Sequence, residues 1–323
     1  CAEFLPLPEL ARQEVRELLA RFGVQPVIAA RVVDRDPRVQ AEADGEVARV
    51  LALHRGMNPA SPGPCVWPLL ADEDGYWPSA LSAARAAARV AALRAAAQAA
   101  GAPLLPGDGV LLDLEPPLQV VQGRHPLAAA RLLYAAARHG GVRGAATLAD
   151  LARGLRQDGL RPLAVVYPLV PLASAWERLL CAPLDCGWER VGVMIYTSMV
   201  AGYSRGLLPL AAARRFGALC LSALARRAPG RAEAYVGVVG HGKLGDEPCH
   251  REPADLALEV AAARAAGAVA VTAFCLEGIL AKPRPEDWLA ALHAPPAAAG
   301  FAWQGDAAGA LTRALGAPLS AMI

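Results

Sequence analysis

Asp108-Gly109-Val110-Leu111-Leu112-Asp113-Leu114-Glu115-Pro116-Pro117 is the stretch from which the fold of this chain is read. The turn Pro106-Gly107-Asp108-Gly109 delivers an aliphatic run, and a Pro-Pro pair stops it. A short run that is apolar on both faces suits a strand in a sheet covered on both sides. Side chains alternate along a strand, so Asp113 and Glu115 are expected on one face, at the strand's C-terminal end. Repulsion between two close carboxylates raises the proton affinity of one of them into a range useful for proton transfer.

The same alternation continues in both directions. Strand-like runs are read at residues 2–5, 24–33, 65–70, 162–167, 190–197, 234–239 and 268–275, with helices at about 8–22, 39–54, 79–100, 126–159, 173–180, 204–228 and 253–266. Counting 2–5 as a strand gives eight repeats; without it there are seven. Near-continuous apolar strands alternating with helices predict an α/β protein with a parallel sheet. Eight repeats in 323 residues predict a (β/α)8 TIM barrel, a single domain over residues 1–323 with no linker dividing it. A doubly wound sheet is disfavoured, because no Gly-x-Gly-x-x-Gly follows the first strand.

Composition excludes several functions. The hydrophobic fraction of 55% owes much to alanine, and no apolar run of membrane-spanning length is free of a charge or a Pro-Gly break. Thirty-two Lys and Arg against thirty Asp and Glu leave a net charge of +2, with the arginines scattered along Ala-rich helices. Such scatter is not a nucleic-acid footprint. The first residue, Cys1, suits a bacterial lipoprotein cut before a cysteine to be acylated, and suits an arbitrary boundary equally well. On the first reading a lipidated Cys1 would attach the chain to a membrane in the cell envelope, or the protein would be extracellular. Cys181 and Cys186 bracket a tight loop suited to a disulfide in an oxidising compartment, while Cys65 and Cys275 read as buried apolar side chains. No Cys/His spacing fits a zinc site, and neither metal nor cofactor is expected.

In a barrel the site lies at the C-terminal strand ends. Those ends carry the Asp72 to Trp77 loop with Tyr76, Asp113 with Glu115, Tyr167, Tyr196, His241 and Glu277. Carboxylates bind sugar hydroxyls and aromatic rings stack on sugar faces, so Asp72, Tyr76, Trp77, Tyr167, His241 and Glu277 are expected to bind a carbohydrate. Plainer roles exist for each: Tyr167 and Tyr196 as core rings with hydroxyls at the rim, His241 as a loop residue, and Asp72, Glu73 and Asp74 as a solvated turn.

With 2–5 as strand one, the opening stretch falls on strand four. There Asp108-Gly-Val-Leu-Leu-Asp113-Leu-Glu115 resembles the Asp-Gly-hydrophobic-Asp-hydrophobic-Asp-x-Glu signature of the family 18 glycoside hydrolases, the chitinase-like barrels. Met194-Ile195-Tyr196-Thr197 on strand six is similar to that family's Met-x-Tyr-Asp. The resemblance implies Glu115 as general acid, Asp113 as the carboxylate that orients a substrate N-acetyl group, and Tyr196 as a hydrogen-bond donor near the reacting carbon. Leu111 replaces the signature's middle Asp, Thr197 its aspartate after the tyrosine, and Phe274 a tryptophan on the eighth strand. The expectation is therefore a glycosidase acting on a polysaccharide or glycan, with catalysis by Glu115, Asp113 and Tyr196. The alternative is a carbohydrate-binding or structural barrel lipoprotein without turnover, which the loss of an acid at Leu111 favours.

Overall fold

The computed structural model describes residues 1–57, 63–121, 141–205 and 207–297. Seven strands lie among them: β1 (Val27–Ala30), β2 (Cys65–Pro68), β3 (Gly109–Leu114), β4 (Arg161–Val166), β5 (Arg190–Met194), β6 (Ala232–Gly237) and β7 (Ala270–Phe274). Their order in the sheet is their order in the chain. The β1–β2, β2–β3, β5–β6 and β6–β7 pairs are parallel. The protein is thus mixed α/β, with the sequential strand order of a TIM-like barrel. The stretch expected as a first strand makes only a single parallel bridge, Ala2 to Ile28. Pro6 and Pro8 follow closely and have no N–H to give a ladder, so the strand cannot extend.

Contacts divide the chain into two compact units, Cys1–Ala164 with Cys181–Glu189, and Val165–Leu180 with Arg190–Ile323. The division falls inside β4, at no linker.

In the first unit every residue of β1, β2 and β3 is buried. The helix Pro37–Leu53 starts where Asp36 accepts a hydrogen bond from the Arg38 N–H at 2.8 Å and Pro37 takes the first position, whose N–H needs no partner. Its buried Asp44 receives both terminal nitrogens of Arg89 from the Ala-rich helix Ala83–Ala99. Arg89 also donates to the carbonyls of Ala30, the last residue of β1, and Leu69, just past β2, so one buried cation ties down two strand ends. The helix Gly141–Gln157 covers the second half of the predicted 126–159 segment; residues 126–140 lie outside the described ones.

In the second unit β5 ends at Met194, two residues before the tyrosine expected on it. Residues 197–203 form a helix, Thr197–Tyr203, capped by Tyr196. The helix expected from 204 starts later, at Leu210, and runs to Arg227. Val193, Val236, Leu221 and Leu224 are buried at 3% exposure or less and form part of this unit's apolar interior. Cys181 and Cys186, the pair suited to a disulfide, both lie buried in the first unit and are not disulfide-bonded, and the Cys186 Sγ donates to the Ala145 carbonyl. Among the described residues, no helix is long and apolar enough to cross a membrane.

Candidate functional site

The first unit gathers a buried carboxyl site around the end of β3. Asp113 is the fifth residue of that strand and Glu115 the residue after its end; both are buried, at 5% and 7% exposure. The two carboxyls are hydrogen-bonded to each other. Their shared face follows from strand alternation, and the Glu115 N–H, donated to the carbonyls of Pro78 and Asp113 at 3.1 Å, holds the turn-out before Pro116. Burial first, then the charge and hydrogen bond of Glu115, then the charge of Glu3, hold the Asp113 carboxyl well above the usual carboxylate range. One oxygen of Asp113, Oδ1, is buried with no hydrogen-bond partner among the described residues.

The acidic and aromatic loop folds onto this site. Asp72 is exposed and opens a single 3-10 turn, Asp72–Asp74. Gly75 then takes φ 108°, a conformation open to glycine, and brings its Cα against Pro117. Tyr76 follows at φ 64° and returns to the sheet, accepting from the Leu70 N–H at 2.8 Å and donating to the Ala71 carbonyl at 3.0 Å. Its ring is buried, edge-on to that of Trp77 at 5.2 Å, and its hydroxyl donates to Glu3 Oε1 at 2.6 Å. Tyr76 and Trp77 are thus interior side chains at 4% and 6% exposure. The pair Asp113 and Glu115, with Tyr76 joined through Glu3, is what the structure brings together in this unit.

The second unit holds Tyr167, Tyr196, His241 and Glu277. Tyr167 follows β4, half-buried, its carbonyl accepting from Val170 N–H at 3.1 Å. Tyr196 is half-buried with its ring 5.7 Å from that of Phe274. His241 is exposed, its Nδ1 3.8 Å from Glu247 Oε2. Glu277 lies in the first turn of the short helix Leu276–Leu280, close to Cys275, whose thiol is pushed up to about 12 by burial and then by the Glu277 charge.

Beneath Tyr196 lies a buried acceptor that sequence reasoning missed. Glu259, in the helix Pro253–Ala265, takes hydrogen bonds from the Thr197 hydroxyl (2.9 Å), the N–H groups of Thr197 (3.3 Å) and Gly237 (3.4 Å), and pairs with His250 Nε2 at 2.6 Å. Burial raises the Glu259 carboxyl, and the His250 and Thr197 contacts oppose that rise. Thr197 therefore serves the turn that starts its helix. Its signal in the sequence was slight: one acid inside the apolar run Leu256-Ala257-Leu258-Glu259-Val260. Glu3, the other missed residue, is likewise a lone acid in an apolar entry segment. Among the described residues, no three His, Cys, Asp or Glu side chains converge as metal ligands.

No protein-family model and no curated protein matches the chain. Among solved structures, the glycoside hydrolase domain of PgaB (BpsB) from Bordetella bronchiseptica is similar at 13% identity and a TM-score of 0.44, over 83% of this chain and 98% of that one.

Proposed function

We propose that the chain is a glycoside hydrolase-like protein acting on a polysaccharide or glycan, with Glu115 as general acid and Asp113 as its partner. The observation that carries this is the buried, mutually hydrogen-bonded Asp113–Glu115 pair at a strand's C-terminal end. Two carboxyls in that arrangement share one proton, which is the equipment for protonating a glycosidic oxygen. The Glu115 proton passes to the bridging oxygen as the C–O bond breaks. The attacking water later returns a proton to Glu115, so the pair ends as it began. Asp113 touches Glu115 too closely to act across the sugar from it, where carboxyl separations are about 5 Å in retaining and about 6.5–9.5 Å in inverting enzymes. Asp113 is therefore the tuning partner, and an acyl-amino group on the substrate would supply the internal nucleophile.

Glu115→Gln keeps the shape and removes the transferable proton. It should abolish hydrolysis of β-linked amino-sugar oligomers while leaving their binding measurable by calorimetry; turnover equal to wild type would refute the assignment.

A second reading, glycan binding without turnover, is favoured by Leu111: its aliphatic side chain, 1% exposed, occupies the place of a third acid. Binding without detectable hydrolysis by the wild-type protein, over a panel of glycans, would select it.

A further inference from the structure

We propose that His241 and Glu247 form a carboxyl–imidazole pair, in which Glu247 is a positioning residue and His241 Nε2 is the acceptor for the proton of a ligand hydroxyl. Both lie in the second unit, and their pairing does not depend on the glycosidase reading.

The loop that carries both residues is closed at its neck. The His250 N–H donates to the Val238 carbonyl at 2.7 Å, and the Val238 N–H donates to Ser198 Oγ at 2.8 Å. Between these anchors the chain lies tight against the end of β7. A Cβ on Gly240 would fall 2.6 Å from the Gly278 Cα, and one on Gly242 would fall 2.7 Å from the Phe274 ring and 3.1 Å from Glu247 Oε1. The glycines on either side of His241 therefore let the backbone approach where no side chain fits. Further along, Asp246 accepts from the Tyr203 hydroxyl at 3.1 Å.

Within this loop the carboxyl is held and the imidazole is not. The Glu247 side chain is 5% exposed, and its Oε1 accepts from the Leu244 N–H at 3.0 Å. Its Oε2 is buried with no hydrogen-bond partner among the described residues, which costs free energy until a donor reaches it. His241 Nδ1 stands 3.8 Å from that oxygen, on a side chain 62% exposed and free to turn. An approach of about 1 Å makes the hydrogen bond, the kind of closure that follows when a ligand seats. An oxygen that accepts from the ring selects the tautomer with its proton on Nδ1, which leaves the lone pair on Nε2. Nε2, on the opposite edge of an exposed ring, then faces the ligand. It takes the proton of a hydroxyl while the bonding pair stays on that oxygen and Nδ1–H stays on Glu247.

The test is the tautomer of His241 in the full chain labelled with 15N at histidine, read by long-range 1H–15N correlation at about pH 9, where imidazole side chains are neutral. The wild type should show the Nδ1–H pattern. The Nε2–H pattern, which free imidazole side chains favour in water, would overturn the proposal. Glu247→Gln should invert the tautomer: the Leu244 N–H keeps the amide oxygen in the place of Oε1, so the amide NH2 faces Nδ1 and sends the ring proton to Nε2. An Nδ1–H ring in folded Glu247→Gln would remove the positioning role. If that variant does not fold, Glu247→Asp carries the test. One methylene shorter, it withdraws the acceptor, so Nε2–H should prevail, and persistence of Nδ1–H overturns the proposal. The lone pair is probed with diethyl pyrocarbonate, followed residue by residue by mass spectrometry. Nε2 attacks a carbonyl carbon, ethyl carbonate leaves and the Nδ1 proton is released. His241 in the wild type should be modified at least about tenfold faster than in Glu247→Gln, where neither ring nitrogen offers a free lone pair. Equal rates would overturn the acceptor role.

Discussion

Asp113 binds its proton more tightly in the folded protein than in the unfolded chain, through burial, Glu115 and Glu3 in that order. Its contribution to stability is therefore complete below the ordinary carboxyl range and is lost as pH rises toward its folded value. Asp113→Asn removes that loss and offers an amide N–H to Glu115. The variant should exceed the wild type in stability by about 1–3 kcal/mol near neutrality, the scale of a relieved buried polar group, with the gap widening from about pH 4 upward. Thermal denaturation across pH checks this, and a constant gap would contradict it. His54 works in the opposite direction. Burial lowers it from 6.5 to about 4, despite its bond to the Leu10 carbonyl, and Arg16 adds to the lowering. The unfolded chain takes up that proton first, so stability present above about pH 6.5 drains away as pH falls toward 4, by up to about 3 kcal/mol. Urea denaturation of His54→Gln should show a flatter acid limb than wild type.

Among the elements, the helix Gly141–Gln157 contains, after its first residue, two glycines in unlike surroundings. A Cβ on Gly144 would fall on the Ala80 carbonyl, whereas one on Gly154 would meet nothing within 4 Å. Gly154→Ala should stabilise by about 0.5–1 kcal/mol through helix propensity alone. Gly144→Ala must move two backbones apart and should destabilise by about 1–3 kcal/mol. Equal midpoints for the two variants in denaturant would show that the helix does not pack on Ala80. At this scale the chain was largely legible, since doubly buried strands announce themselves as apolar runs and all seven overlap the expected segments, β4 and β6 beginning one and two residues early. The misreading at Tyr196 and Thr197 has a local cause. An aromatic and a β-branched residue prolong the strand pattern of Val193-Met194-Ile195, and nothing nearby reveals that Glu259 waits 62 residues on to accept the Thr197 N–H. Likewise Ala2 to Leu5 has strand-like side chains, but the prolines behind it limit pairing to one bridge.

For the molecule as a whole, the seven cysteines, five of them buried, form no disulfide, so no covalent link supplements the packing. Thermal midpoints measured with and without a thiol reductant should coincide; a drop on reduction would reveal a disulfide. The Asp113–Glu115 pair was readable because two residues apart on a strand is a local rule. Its surroundings were not, because Glu3 and Tyr76 meet across 73 positions and no periodicity encodes that contact. That separation also orders events in time. Closing long loops is entropically uphill, so contacts between distant segments form late in folding. Until Tyr76 reaches Glu3, the Glu3 carboxyl lacks the buried donor it holds in the folded protein. A partly folded chain therefore carries the Asp113–Glu115 motif before the contact between Glu3 and Tyr76 has formed.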